Sequence, residues 1–521
     1  MNKNLIVILV LSAVVYSANT WKTSVYVLDE ARNAGCAMEM YQRNDWVVPT
    51  FNGELRTDKP PLHYYLMQLS YRVFGINAFS ARLYATVMGL LTVLVVYFFG
   101  RKLAGEQTSF FSALILISSL QLAVQFHLAV PDPCLIFFLT LGYLSFIYAY
   151  LLQKSRFYYL FYVAISLATL SKGPVAILFT GLTVLIFLVA QQNFKVKTLL
   201  QIKVPQGILI FLVLVLPWYI LVGIATEGEW IEQFFFKHNI NRFTSTMEGH
   251  GGFPLASFVI VIGALVPFSF FFPQAIRNIW HEQKTNPFIQ FCLIATGVVV
   301  IFFAFSRTIL PNYPEPALPF FALLLGFYLS TIYARPEIIK KQRLHVNAIV
   351  YVIVSMAIPF AVWIGLGYEE PLRDLRYSAG YFSILSLGAF LGLYFMIRKE
   401  IAYVVYAYTT SSVLLLLIFF YGIYPRIDQQ NPVLQSLPLM VHPEKPVLYY
   451  RDFNPAFVFA LRHPINAIGT AREAEAYSGS AAGFYLITQK RFLSELESLD
   501  ARVIFEGKDL FESRTTLILE K

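Results

Sequence analysis

The segment RTDKPPLHYYLMQLSYRVFG, Arg56 to Gly75, sets a charged corner and two prolines ahead of an apolar-faced stretch that is too short, and too polar at its end, to be an easy membrane span. Pro60 suits the start of a helix, because its missing N–H is not needed in the first turn, and Pro61 keeps Pro60 out of any preceding helix. The stretch therefore reads as a helix lying in the membrane interface, with Asp58 and Lys59 held at headgroup height. A second interfacial helix precedes it in DEARNAGCAMEMYQR. There Ala31, Ala34, Met38 and Tyr41 recur at helical spacing, and Asp29 and Glu30 stand at the end where the helix dipole favours carboxylates.

The rest of the chain explains why an interface is present. Of 521 residues, 57% are hydrophobic and only 14% charged, which excludes an ordinary soluble globule. Apolar runs near the roughly 20 residues needed to cross a bilayer recur to about residue 424, and about thirteen transmembrane helices are expected. The opening MNKNLIVILVLSAVVYSA has the basic start and apolar core of a signal peptide, but Ala18-Asn19-Thr20 is a poor cleavage context, so it reads as a retained first helix. With that N-terminus cytoplasmic, Arg101 and Lys102, Lys154 and Arg156, Lys195, Lys197 and Lys203, Arg277 and Lys284, Arg335 to Arg343, and Arg398 and Lys399 all fall in inside loops. The net charge of +9 is then topological. No nucleic-acid partner is expected, since no soluble face combines basic residues with stacking aromatics.

Three outer loops, residues 19–80, 227–253 and 306–316, hold most of the unusual polar chemistry, and residues 1–430 form the membrane domain that carries them. From 431 to 521 the short β-like runs VLYY, GFYLITQ, RVIFEG and TLILE alternate with helical PAFVFALRH and KRFLSELESL. This predicts a small α/β domain outside the membrane that covers or shapes the site. It contains no glycine-rich nucleotide loop. Cys36, Cys134 and Cys292 lack metal-ligand spacing, and no disulfide is expected.

Ionisable groups at the membrane are expensive and mark function. On the outer face they are Asp29, Glu30, Asp58, Lys59, His63, Asp132, Lys172, His238, Arg242, His250 and Arg307, with Tyr313 beside them. Carboxylates, cations and a tyrosine on one face of a bundle suit transfer from a lipid phosphate: a base for an acceptor hydroxyl, and cations for the leaving phosphate. The prolines of PNYPEPALP prevent a regular helix through Tyr313, so that segment must line a cavity or lie within protein. Asp58 with His238 and His250 offers ligand types for a divalent metal ion, although no local spacing motif supports it.

LDEARNAGCAMEMYQRNDWVVPTFNGELRTDKPPLHYYLMQLSYRVFG, SARLYATVMGLLTVLVVYFFGRKLAG, TLSKGPVAI, KHNINRF with MEGHGG, and SRTILPNYPEPALP together resemble bacterial polyprenyl-phosphate-sugar transferases of the GT-C superfamily. Among these the chain is similar to the lipid A aminoarabinose transferases and the protein O-mannosyltransferase-like enzymes. The resemblance implies that Asp29 is the catalytic acid of the first loop with Glu30 its neighbour, that Lys59 meets the donor phosphate, and that Asp132 is a second acid. It places Arg242 and Tyr313 among further phosphate-binding groups, and Lys172 and Arg307, in the matching segments, are expected to bind the donor phosphate with them. The usual Glu-Lys-Pro-Pro motif has Asp58 in place of its glutamate, one methylene shorter, and His127 stands where an arginine is frequent.

The expectation is a polytopic α-helical membrane protein with two interfacial helices and a C-terminal α/β domain. It would be a monomer in a bacterial inner membrane with its site facing the periplasm. Its predicted work is inverting transfer of a sugar from an undecaprenyl-phosphate donor to a lipid A-like or protein hydroxyl, beside membrane lipids. A transporter or flippase of lipid-linked sugars, or a surface-polysaccharide ligase, is the rival reading. The absence of internal repeats counts against the transporter.

Overall fold

The computed structural model describes residues 3–240, 255–306, 309–480 and 483–521. Nine helices lead from the start of the chain to the site: α1 (Lys3–Tyr16), α2 (Leu28–Gln42), α3 (Leu62–Phe74), α4 (Ala78–Leu103), α5 (Glu106–Ile117), α6 (Leu120–Gln125), α7 (Asp132–Leu152), α8 (Arg156–Lys172) and α9 (Val175–Ala190). With 26 residues, α4 rises about 39 Å at 1.5 Å per residue, enough for a hydrocarbon core of about 30 Å. Among the described residues eight helices are long and apolar enough to cross a membrane, or nine if the sharply bent pair Ala256–Ala264 and Phe268–Glu282 is one broken span. The count stays below about thirteen because α1, α5 and α9 have only 14, 12 and 16 residues. Apolar runs in sequence do not report that shortness. The chain is a multi-pass membrane protein.

The first helix is built into the bundle. Ile8, Val15 and Tyr16 are fully buried in the main core. The Thr86 hydroxyl of α4 donates to the Tyr16 carbonyl at 3.0 Å.

Both helices expected at the interface form where the sequence places them. α3 begins at Leu62 with Pro61 as its N-cap residue, so Pro60 lies just outside the helix rather than starting it. Between α2 and α3 a two-stranded hairpin, β1 (Thr50–Phe51) and β2 (Glu54–Leu55), turns through Asn52 and Gly53, whose φ angles of 54° and 80° give the left-handed turn that such hairpins favour. Glu39 of α2, 3% exposed, anchors this turn by accepting from Thr50 Oγ1 at 2.6 Å and from the Gly53 N–H at 3.2 Å.

The C-terminal segment forms a five-stranded sheet in the order β4-β3-β5-β7-β6, from β3 (Val447–Tyr450), β4 (Asn466–Ile468), β5 (Tyr485–Gln489), β6 (Arg502–Lys508) and β7 (Thr515–Glu520). β3 runs parallel to β4 and β5, while β7 runs antiparallel to β5 and β6. The helix Ala456–Leu461 packs on α2, and Ala456, Phe457 and Val458 share one core with Ala31, Ala34 and Met38. Polar ties follow the same seam. Asn52 Nδ2 donates to the Ile465 carbonyl at 3.1 Å, and the Ile465 N–H returns to Asn52 Oδ1 at 2.6 Å. The sheet thereby clamps the outer side of the helix that carries Asp29.

Candidate active site

One cavity gathers residues from all three segments 19–80, 227–253 and 306–316. It is lined by Asp29, Asp58, Lys59, Asp132, Lys172 and Tyr313, with apolar walls that include Leu135, Phe179, Phe302 and Phe303. Six residues singled out in the sequence, scattered over nearly 300 positions, therefore meet in one place.

Asp29 sits in the first turn of α2, but Val27 is the N-cap residue and no side chain caps the helix, so the Asp29 carboxylate is not spent on capping. It is exposed within the cavity. Asp58 lies 3.0 Å from the Arg56 guanidinium, which is only 7% exposed and also donates from Nε to the Tyr64 hydroxyl at 3.2 Å. Across the cavity the Lys172 ammonium donates to Asp132 Oδ1 and stands 5.2 Å from the centre of the Tyr313 ring, a cation-π distance. Asp132 starts α7 and Lys172 ends α8, so the antiparallel pairing of these helices brings together residues 40 apart in sequence. Tyr313 reaches the cavity because its segment is a turn followed by a 3-10 turn at Glu315–Ala317 before the next helix begins at Leu318.

Counting Arg56, three cations (Arg56, Lys59, Lys172) face three carboxylates (Asp29, Asp58, Asp132). Among the described residues the charges of the site are thus nearly balanced. Any anion that enters must compete with these carboxylates for the lysines.

Glu30 is not in the cavity. Its carboxylate is fully buried and takes both forks of Arg82, from Nε at 2.7 Å and from Nη2 at 2.8 Å, and also accepts the Ala129 N–H at 3.0 Å. Residues adjacent on a helix point about 100° apart, so Asp29 facing the cavity turns Glu30 into the protein. Glu30, named with Asp29 as a catalytic candidate, is thus held inside the protein by Arg82, away from the cavity. Its partner Arg82, 2% exposed, was overlooked in the sequence, although an arginine inside the apolar run SARLYATVMGLL signals a buried partner. The remaining Arg82 N–H groups reach the carbonyls of Thr20, Thr23 and Ser24. One guanidinium thus fixes both the approach to α2 and its first turn.

Arg242, His250 and Arg307, and the side chain of His238, lie outside the described residues. Among the described residues no group of three or more His, Cys, Asp and Glu could hold a metal ion. Asp58, the described member of the suggested metal set, is instead held by Arg56. Cys36, Cys134 and Cys292 are buried free thiols.

His63 lies behind the cavity, fully buried, with Nε2 at 3.1 Å from Asn33 Oδ1. Burial, reinforced by Lys59 and Arg56, holds it well below the usual imidazole range. The unfolded chain binds a proton at His63 below about pH 6.5 and the native protein does not, so stability falls as pH falls through that value. Replacement His63→Gln is expected to reduce the loss of melting temperature between pH 7 and pH 5. Parallel melting curves for the two proteins would mean that His63 does not drive acid sensitivity.

Comparisons with known proteins point the same way. Residues 58–221 match the family described as dolichyl-phosphate-mannose-protein mannosyltransferase. An uncharacterized protein of Aquifex aeolicus (strain VF5) is 31% identical over 336 residues, covering 64% of this chain and 75% of that one. The undecaprenyl phosphate-alpha-4-amino-4-deoxy-L-arabinose arabinosyl transferase of Pseudomonas aeruginosa (strain UCBPP-PA14) is 31% identical over 310 residues, covering 58% of this chain and 56% of the relative. The crystal structure of ArnT from Cupriavidus metallidurans bound to undecaprenyl phosphate superposes with a TM-score of 0.83 at 21% identity, covering 99% of this chain and 97% of that one. The chain belongs to the GT-C glycosyltransferases. In this glycosyltransferase the sequence match spans little more than half of the arabinosyl transferase, whereas the fold match runs through nearly the whole chain, including the C-terminal sheet.

Proposed function

We propose that this glycosyltransferase moves a sugar from an undecaprenyl-phosphate carrier to a hydroxyl of a lipid A-like acceptor, or of a protein, on the periplasmic face of the inner membrane. The observation that carries the reading is one cavity that combines a carboxylate not used for capping, Asp29, with two lysines and a tyrosine beneath walls of leucine and phenylalanine. Polar floor and apolar walls suit a phosphate whose isoprenoid tail stays in the bilayer. The arabinosyl transferases and the ArnT complex with undecaprenyl phosphate supply the donor class.

In this reading Asp29 takes the proton of the acceptor hydroxyl as its oxygen attacks the anomeric carbon from the face opposite the phosphate. A single displacement inverts that carbon, and the bond to the phosphate oxygen breaks. The charge on the departing phosphate grows as it leaves, and Lys59, Lys172, Tyr313 and Arg242 stabilise it there. A metal ion at Asp58 has no role in this scheme.

Purified protein given an undecaprenyl-phosphate sugar should release undecaprenyl phosphate only when an acceptor is added, and a lipid A-type and a protein acceptor tested side by side identify the acceptor class. Movement of intact donor across vesicles without sugar release would instead establish the flippase reading.

Lys59 gives a sharper test. A charged hydrogen bond contributes about 1.5–3 kcal/mol, so Lys59→Ala is expected to weaken donor binding by roughly ten- to a hundredfold at unchanged melting temperature. Lys59→Arg should recover only part of it, because the planar guanidinium places its charge farther out. Unaltered donor affinity in Lys59→Ala would remove Lys59 from the phosphate site.

A further inference from the structure

Behind the Lys172–Asp132 pair lies a fourth carboxyl that the scheme above does not use. Glu315 follows Tyr313 by two residues and is 2% exposed. One of its oxygens, Oε1, accepts from Gln121 Nε2 at 3.1 Å, and the same Gln121 nitrogen donates to the Pro311 carbonyl at 2.6 Å. The other oxygen, Oε2, is buried with no hydrogen-bond partner among the described residues. Asp132 and Lys172 are the charged groups that act on it.

A buried carboxylate with one oxygen unpaired is expensive, far more so than the same group carried as an acid. A second carboxylate, Asp132, already balances the lysine. Were Glu315 ionised as well, Lys172 would face two buried negative charges, and among the described residues carboxylates would outnumber cations around the cavity. Both changes oppose the entry of a phosphate. Among the described residues the elements packed on the Glu315 turn supply no other cation: α7 brings Asp132, Cys134, Tyr143, Tyr148 and Tyr150 as titratable groups, while Pro287–Ala304 and Leu318–Ala334 bring Cys292, Tyr328 and Tyr333.

We propose that Glu315 is a positioning residue for Lys172: carried as the uncharged acid and fixed by Gln121, it leaves the ammonium balanced by Asp132 alone and able to turn to a lipid phosphate. This rests on the undecaprenyl-phosphate reading of the cavity. Ionising Glu315 holds the ammonium back and repels the phosphate.

The test uses the full chain in detergent, undecaprenyl phosphate as the probe, and the variant Glu315→Gln, which keeps size and hydrogen-bonding capacity but has no proton to lose. At pH 7 the wild type should show the infrared carbonyl band of a protonated carboxyl, and the variant should lack it. The variant should bind undecaprenyl phosphate within about threefold of wild type at pH 7. From pH 8 to 9.5, where the phosphate is already doubly charged, wild-type affinity should fall at least threefold more than that of the variant. Superimposable pH curves, no protonated-carboxyl band, or loss of binding in the variant at pH 7 would each overturn the inference while leaving the donor assignment intact. Failure of both proteins to bind undecaprenyl phosphate at any pH would overturn the donor assignment and the inference with it. A melting temperature measured on the variant separates misfolding from a changed charge.

Discussion

Asp29→Asn is expected to fold as the wild type does and to lose between about a hundredfold and ten-thousandfold of its transfer rate, the usual contribution of a positioned general base. The geometry makes this a clean experiment. Asp29 faces the cavity, makes no side-chain cap, and follows a helix entry that is fixed by other residues, so asparagine alters the charge and little else. Initial rates of undecaprenyl phosphate release, taken with melting temperatures, decide the matter. A variant that turns over at near wild-type rate would reduce Asp29 to a helix-dipole residue.

The second large effect concerns stability. Arg82→Ala strands the Glu30 carboxylate, fully buried, and also withdraws donors from Thr20, Thr23 and Ser24. Breaking a buried pair from one side costs about 3–5 kcal/mol, whereas exposed pairs such as Lys490–Glu506 are worth about 1 kcal/mol or less. The variant should therefore unfold at markedly lower denaturant than Lys490→Ala. The double variant Glu30→Leu with Arg82→Leu should regain part of the loss, because no charge is then left alone. Equal stability of Arg82→Ala and wild type would show that the pair is not the staple of α2.

Much of the architecture was legible because its signals are local. Prolines, apolar runs and dipole-matched acids mark both interfacial helices, and alternating runs mark four of the five C-terminal strands. The strand Asn466–Ile468 escaped because three residues carry no period, and its edge is defined only by pairing with Leu448 to Tyr450. In the site, residue type identified the members of the cavity, but role depended on direction. Asp29 and Glu30 are indistinguishable in sequence and opposite in the fold. Glu315 and Gln121 were invisible for a related reason, since nothing local in either segment says that a distant turn will bury one against the other.

The clamp on α2 has a bearing on when that helix is secured. Ser24 is tied to Asp428, Gln42 to Arg462, Asn52 to Ile465 and Tyr26 to Leu510, across separations of 404, 420, 413 and 484 residues. At ribosomal speeds of about 5–20 residues per second, roughly 20–100 seconds separate the emergence of the helix that carries Asp29 from that of the residues that lock it. During that interval the nascent chain holds the Asp29 carboxylate on an unsecured helix. The α2 clamp thus closes late in translation, once nearly the whole chain has been made.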